Sequence, residues 1–147
     1  MTKPLDKTAL TKAEWQTELF SMQPRRAELL KFRTEWPLRT IKLRVHRNHA
    51  FEPVGSMMEP YAAFGAWRAE LTYSDYSDTL DFSAGDVQAD AELVWVDRSR
   101  YQGLDDAGLV QWLAQRLNHL RRVSTGPILA MVSGGNALLE QRLDESA

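Results

Sequence analysis

Two histidines lie three residues apart in the segment TIKLRVHRNHAFEP, which spans Thr40–Pro53. Histidine is suited to proton transfer near neutral pH and is a common metal ligand. His46 and His49, together with Glu52, could therefore act as general bases or metal ligands. A spacing of three residues in a turn is no established metal signature, so we predict no metal site. The structural alternative is that a histidine hydrogen-bonds to the backbone and orders the turn.

Arg47 and Asn48 lie between these two histidines. A guanidinium group pairs well with a phosphate or a carboxylate, in a geometry that few other side chains match. We therefore expect Arg47 to meet an anionic group of a ligand. Asn48 and His49 would then orient that ligand.

Asp97 ends the apolar run ELVWVD, which covers Glu92–Asp97. A carboxylate in this place could orient a histidine base, as the third member of a catalytic triad does. It could equally cap the turn that follows, or pair with Arg98 or Arg100. The sequence leaves both roles open.

The segment SGGN follows another apolar run and supplies Ser133, Gly134, Gly135 and Asn136. Backbone N–H groups in such a turn could hold an anion or an oxyanion. The segment lacks the GK[ST] sequence of a Walker loop. The alternative is a tight turn in which Asn136 caps the next helix.

The elements that must position these residues alternate between strands and helices. Alternation or continuous runs of apolar residues predict four strands, at Ile41–Val45, Trp67–Tyr73, Glu92–Asp97 and Pro127–Val132. Helical periodicity predicts helices over Phe51–Phe64, from Asp105 or Asp106 to about Val123, and over Asn136–Leu143. This order indicates an α/β fold with a three-layer, mostly parallel sheet. Ligands bind beyond the carboxyl ends of the strands in such sheets, and the candidate residues lie there.

The first 39 residues are predicted to form a helical N-terminal extension, and residues 40–147 the α/β domain. Thr11 and Glu14 fit a capping box at the start of a helix that runs to about Met22. A second helix is predicted from Pro24 to about Glu35.

Composition narrows the function classes. The chain has 147 residues, a net charge of −2 and no cysteine. The charge argues against a nucleic-acid partner, and the missing cysteines exclude disulfides, thiolate catalysis and cysteine zinc sites. The N-terminus lacks the apolar core of a secretory signal, and no run of apolar residues is long enough to span a membrane. We therefore expect a cytoplasmic protein that does not enter a membrane. We also expect no cofactor.

Three segments, LRVHRNHAFEPV, AELTYSDYSDTLDF and ADAELVWVDRSRY, followed by a leucine-striped helix, resemble the N-terminal domain of FkbH-like proteins. That domain is similar to a reduced SGNH-hydrolase or flavodoxin-like fold. The resemblance implies a role in natural-product or surface-glycan biosynthesis, with an acyl carrier protein or another pathway enzyme as partner. In the family, a HAD-type phosphatase-like domain usually follows this one and loads a glyceryl unit onto the carrier.

Three departures from these families bear on catalysis. The DxDx[TV] motif of the HAD domain does not occur in this sequence. The segment after the first strand holds no serine, where an SGNH hydrolase carries its nucleophile in a Gly-Asp-Ser turn. Asp144 near the C-terminus is not followed by the histidine of the hydrolase's Asp-x-x-His motif.

We therefore expect a non-hydrolytic accessory domain that binds a ligand or partner. One alternative is a small hydrolase or transferase with a degenerate SGNH-like site, in which His46 or His49 is a base paired with Asp97. Its oxyanion would be stabilised by the turn at Gly134–Asn136. Another alternative is a structural module that forms a homodimer through three tryptophans, Trp15, Trp36 and Trp67.

Overall fold

The structure is a computed structural model, and it describes residues 11–82 and 88–134. Their helices and strands, in chain order, are α1 (Lys12–Leu19), α2 (Arg26–Leu29), β1 (Arg39–Arg47), α3 (Glu52–Phe64), β2 (Trp67–Tyr76), β3 (Ala91–Asp97), a short 3-10 helix (Arg98–Tyr101), α4 (Asp106–Val123) and β4 (Ile128–Ser133). Among the described residues, no helix is both long and apolar enough to cross a membrane. The helix predicted at Asn136–Leu143 lies outside the described residues.

The four strands form one sheet in the order β2-β1-β3-β4. β1 pairs with β3, and β3 with β4, in parallel. β2 runs the same way beside β1, because the Arg39 N–H donates to Ala66 near their starts and the Ser77 N–H donates to Arg47 near their ends. The predicted α/β class with a mostly parallel sheet is therefore confirmed.

This strand order matches the first four strands of a flavodoxin-like sheet. The direction in which strands are added reverses between β1 and β3, and ligands of such folds bind at that switch point. Leu93 on one face of β3, and Val94 and Val96 on the other, are almost fully buried. Both faces of the central strand are thus covered, as a three-layer arrangement requires.

Contacts divide the chain into two compact units, one of Met1–Ile41 with Glu52–Glu70 and the other of Lys42–Phe51 with Leu71–Ala147. The first unit has its own aromatic cluster, in which Trp15 meets Phe32 edge to face at 4.5 Å. Thr11 and Glu14 form the predicted capping box at the start of α1. The boundary predicted after residue 39 stays a prediction.

The core of the second unit forms where α4 covers one face of the sheet. Asp105 caps the helix as predicted, because its carboxylate accepts the Gly108 N–H at 2.7 Å. The leucine stripe then places Leu109 and Leu113 against Val94 and Val96.

Several predicted boundaries are wrong, among them the end of β2, which continues past Tyr73 to Tyr76. β1 continues to Arg47, so His46 and Arg47 lie within the strand and not after it. They continue the parallel pairing with β3, and burial is tolerated because both side chains have hydrogen-bond partners. α2 ends at Leu29, because the next turn tightens and brings Phe32 into the aromatic cluster.

Replacing a core leucine tests the packing of α4. Leu113 is fully buried, so Leu113→Ala removes apolar contacts and leaves a cavity. We expect the free energy of unfolding to fall by about 2–5 kcal/mol in urea titrations. The matched control is Leu129→Ala, because Leu129 is 57% exposed and its loss should change stability by less than about 0.5 kcal/mol. Equal effects of the two substitutions would contradict the packing of α4 on the sheet.

Candidate functional site

The parallel register brings the ends of three strands together at the switch point. Asp97 on β3 lies opposite Ser133 on β4, and Arg47 on β1 lies opposite Trp95 on β3. The next residues of the chain after β1 are Asn48 and His49, so they follow directly beside the end of β3. The Asn48 N–H continues the strand pairing by donating to the Trp95 carbonyl at 3.3 Å.

Asn48 is the most buried of these polar residues, with 2% of its surface exposed. Its side-chain Oδ1 accepts the backbone N–H of Asp97 at 2.8 Å, and its Nδ2 donates to the Asp97 carbonyl and to the Tyr101 hydroxyl. The Tyr101 hydroxyl in turn donates to the Asp78 carbonyl at 2.9 Å. Because a backbone N–H can only donate, the oxygen and nitrogen of the Asn48 amide have one assignment.

This amide orientation decides which ring nitrogen of His49 carries the proton. His49 Nδ1 lies 3.0 Å from Asn48 Oδ1, an acceptor, so Nδ1 must be the N–H donor. In neutral His49 the other nitrogen, Nε2, is therefore the base, and it lies 3.2 Å from Ser133 Oγ. We refer to these three residues as the Asn48–His49–Ser133 cluster.

Aromatic stacking holds the His49 ring. The imidazole lies 5.1 Å from the Trp95 ring at an interplanar angle of 23°. Phe51 packs edge-on against the same indole at 5.3 Å. Among the described residues, the buried Trp95 Nε1–H has no hydrogen-bond partner, so packing and not hydrogen bonding positions the indole.

Asp97 does not take the role of an orienting carboxylate through a hydrogen bond. Its Oδ1 accepts the Ser99 N–H at 2.9 Å and caps the 3-10 helix. These bonds from Ser99 hold the pKa of Asp97 below its usual value, and the charges of His49 and Arg100 act in the same direction. Within the described chain, Asp97 therefore takes the capping role that the sequence left open. The base–carboxylate pair of the catalytic alternative is replaced by a base–amide pair, His49 with Asn48.

Gly134 follows Ser133 with a φ of 72°, a conformation that glycine adopts without strain. Gly134 lies close to the side chain of Asp97. Gly135 and Asn136, the rest of the predicted anion-binding turn, lie outside the described residues.

His46 belongs to a different set of contacts, which we call the Glu92 network. Glu92 is 1% exposed and accepts two hydrogen bonds from Arg44, one from His46 Nε2 at 2.9 Å and one from the Ser124 hydroxyl. Burial raises the pKa of Glu92, but the bonds from Ser124, Arg44 and His46 outweigh burial and keep it below the usual value. Burial lowers the pKa of His46 despite the neighbouring carboxylate, so its imidazole is neutral at pH 7.

A cleft of about 460 Å³ opens beside His46. It is lined mostly by polar side chains of β1, of β2 and of the segment after β2: Arg44, His46, Arg47, Thr72, Tyr73, Ser74, Asp75, Ser77, Leu80, Asp81 and Phe82. Because Nε2 of His46 donates to Glu92, Nδ1 is its acceptor nitrogen, and within the described chain Nδ1 has no hydrogen bond. Phe82 packs edge-on against the ring at 4.8 Å.

Arg47 is positioned by two tyrosines of the neighbouring strand. Its guanidinium lies 4.5 Å from the Tyr73 ring and 4.4 Å from the Tyr76 ring. Its Nε donates to the Ser74 carbonyl at 3.2 Å. Two aromatic rings and a backbone carbonyl thus position the guanidinium group, and a lysine ammonium could not make the same set of contacts.

The structure therefore separates candidates that the sequence grouped together. Asn48, His49, Asp97 and Ser133 come together at the switch point, whereas His46 and Arg47 line the cleft formed with β2 and the segment after it. Sequence reasoning missed Glu92 and Ser124, although a glutamate at the start of the apolar run ELVWVD was a signal for a buried ion pair. No group of three metal-ligating side chains occurs within residues 11–82 and 88–134.

The tryptophans proposed for a dimer surface do not form an exposed patch. Trp15 is buried with 7% of its surface exposed, and Trp36 and Trp67 are half-buried. Trp36 also donates its indole N–H to the Ala63 carbonyl at 2.8 Å. These rings stabilise the first unit, so the dimer hypothesis gains no support from them.

No protein-family model matches the chain, and no curated protein matches its sequence. Among solved structures, the chain is similar to the N-terminal part of the protein BF1531 from Bacteroides fragilis, which contains a phosphatase domain and was crystallised with Mg. The TM-score is 0.48 and the identity 10%, over 94% of this chain and 40% of that chain. The chain thus spans less than half of that structure, and a likeness this distant carries no argument about chemistry.

The tautomer of His49 is directly measurable. We expect long-range ¹H–¹⁵N spectra above pH 8 to show a protonated Nδ1 and an unprotonated Nε2, because Asn48 Oδ1 accepts from Nδ1. His119 is exposed on α4 and serves as the internal comparison. A protonated Nε2 in His49 would contradict the hydrogen bond from Nδ1 to Asn48.

The Glu92 network also predicts how stability depends on pH. The pKa of His46 in the folded state lies below its reference value of 6.5. As the pH falls below 6.5, the unfolded chain therefore binds a proton at this histidine before the folded chain does, and the free energy of unfolding falls. The depressed pKa of Glu92 adds a second loss of stability below about its reference value of 4.5. We expect the free energy of unfolding to fall steadily from about pH 6.5 to about pH 4.

The contribution of His46 can be isolated by His46→Gln, which removes the titrating ring and keeps a donor for Glu92. We expect a flatter dependence between about pH 6.5 and about pH 5 in urea titrations. His119→Gln is the control, because it makes the same substitution at an exposed histidine outside the Glu92 network. The same slope in His46→Gln and wild type would rule out a perturbed His46.

Proposed function

We propose that the chain is an accessory domain that binds a small, hydroxylated anion in the cleft lined by β1, by β2 and by the segment after β2. The observation that carries the proposal is the cleft itself, which is lined by buried His46 and by Arg47. Its volume of about 460 Å³ is within the usual range for small-molecule sites.

The charges of the lining favour a ligand of mixed character. Arg44 and Arg47 are cationic, and Asp75 and Asp81 are anionic. Arg44 is already paired with Glu92, so Arg47 is the cation of the lining that we expect a ligand to meet. A purely anionic ligand would meet both carboxylates, whereas a ligand with one anionic group and several hydroxyl groups can satisfy cations, carboxylates and His46 Nδ1 together. A hydroxy acid or its phosphate ester has this chemistry.

The resemblance to the N-terminal domain of FkbH-like proteins suggests the biological setting. In that setting the ligand would be a glyceryl-type group, and the partner would be an acyl carrier protein or another enzyme of natural-product or surface-glycan biosynthesis. The domain would hold or present the group while another domain performs the transfer chemistry.

The proposal can be tested by NMR titration of the chain with 3-phosphoglycerate, glycerate and inorganic phosphate at pH 7. We expect 3-phosphoglycerate to shift the resonances of Arg47, Tyr73 and Ser74 and to bind more tightly than phosphate, since phosphate lacks the hydroxyl group. Arg47→Lys keeps the charge but loses the stacked plane, and it should weaken binding about tenfold, or about 1.4 kcal/mol.

Arg122→Lys is the matched control, because Arg122 is exposed in the last turn of α4. It should leave binding unchanged. If none of the three ligands shifts cleft resonances, or if shifts occur equally in the Arg47 and Arg122 variants, the cleft is not the binding site.

A further inference from the structure

We propose that the Asn48–His49–Ser133 cluster is a nucleophilic site that takes an acyl group from an ester or a thioester onto Ser133 Oγ. This activity goes beyond the binding function of the cleft and does not depend on it. The nucleophile, the base and the group that orients the base lie on the chain segments that end β1 and β4.

The distances are those of a nucleophile–base–orienter arrangement. Ser133 Oγ lies 3.2 Å from His49 Nε2, and His49 Nδ1 lies 3.0 Å from Asn48 Oδ1. Nucleophile and base within about 2.6–3.2 Å, with a third group holding the base, are the structural signature of such sites. An asparagine takes the third position in some cysteine proteases, so a carboxylate is not required there.

The protonation state of the ring favours this chemistry over a plain structural contact. The Asp97 N–H fixes the Asn48 amide, and the amide fixes the proton on His49 Nδ1. The lone pair on Nε2 therefore points at Ser133. The Ser133 hydroxyl has one proton and two nearby acceptors, His49 Nε2 and the Val96 carbonyl at 3.3 Å.

Position and charge support the same inference. His49 and Ser133 are half-buried, so a substrate can reach them, whereas Asn48 behind them is almost fully buried and cannot relax. The negative charge of Asp97 lies near His49, whose charge is one of the smaller causes that lower the pKa of Asp97. It would stabilise the imidazolium that forms when His49 accepts a proton.

The reaction balances as follows. Ser133 Oγ attacks the acyl carbon while its proton passes to His49 Nε2. The bond from the acyl carbon to the leaving oxygen or sulfur then breaks, and the leaving group takes that proton. Water attacks the acyl-serine by the same route in reverse, which releases the carboxylic acid and restores the Ser133 hydroxyl.

A fluorophosphonate probe tests the nucleophile in the full chain. We expect intact mass to show one adduct and peptide mapping to place it on Ser133. His49→Gln should slow labelling about 100-fold or more, because the general base is lost. Ser56→Ala changes a half-buried serine of α3 and should label like the wild type.

The outcomes are distinct from those of the binding test. Labelling of Ser133 that depends on His49 supports the site whether or not the cleft binds any ligand. Absence of an adduct, an adduct elsewhere, or equal labelling of wild type and His49→Gln overturns it.

A cysteine at position 133 provides a second test that does not require removal of the nucleophile. Because the sequence contains no cysteine, the introduced thiol is the only one in the protein. Ser133→Cys introduces a single thiol beside His49, and the ring should promote thiolate formation. We expect iodoacetamide at pH 7 to alkylate it at least about tenfold faster than the single thiol of Ser56→Cys. Adding His49→Gln should abolish the difference; equal rates in the two single variants would show that the ring does not activate this position.

The positioning role of Asn48 is tested by Asn48→Asp. A carboxylate in place of the amide stabilises the imidazolium, so the acidic limb of the labelling profile should move to higher pH. Among the described residues, the other groups near the ring are Trp95 and Ser133, which carry no charge near neutral pH, and Asp97, which is unchanged in the variant. A profile that keeps its midpoint would show that Asn48 only supports the fold.

Discussion

The hydrogen bond from the Asp97 backbone N–H to Asn48 Oδ1, at 2.8 Å, is the constraint on which the switch point depends. It joins the end of β1 to the end of β3 at the place where a flavodoxin-like sheet has its crevice. The backbone N–H of Asp97 fixes the orientation of the Asn48 amide, and the amide oxygen fixes the proton of His49 on Nδ1. The lone pair on His49 Nε2 is then directed at Ser133 on β4. A hydrogen bond between β1 and β3 thus determines the tautomer of His49, although His49 takes no part in that bond.

In the Glu92 network, hydrogen bonds occupy a buried carboxylate and do not direct a lone pair at another group. Glu92 accepts from Arg44, His46 and Ser124, so its charge is neutralised and its oxygens are saturated. Replacing such a carboxylate lowers stability, because its buried partners lose their acceptor. It is not available for catalysis, because its oxygens already accept hydrogen bonds from Arg44, His46 and Ser124. His46 also lines the cleft, and its hydrogen bond to Glu92 leaves Nδ1 as the acceptor nitrogen of the ring.

Much of the architecture could be predicted from the sequence, because strand alternation, the leucine stripe and the caps at Thr11 and Asp105 are local signals. The end of β1 could not be predicted, because His46 and Arg47 are polar and their burial depends on Glu92 and Ser74, which lie far along the chain. The candidate residues at the strand ends were largely found by the rule for parallel sheets. Their grouping was not, because strand order and register decide which strand ends are neighbours.

The separation of the paired residues along the chain has a consequence for folding. Asn48 and Asp97 are 49 residues apart, and His49 and Ser133 are 84 residues apart. Contacts this distant in sequence form late, since each requires a large loop to close first. A partly folded chain that has docked β1 to β3 would already hold His49 in its tautomer, yet would lack a partner for Nε2 until β4 adds to the sheet. The cluster is thus completed by the last described strand, and hydrogen exchange at β4 would report how often the finished arrangement opens.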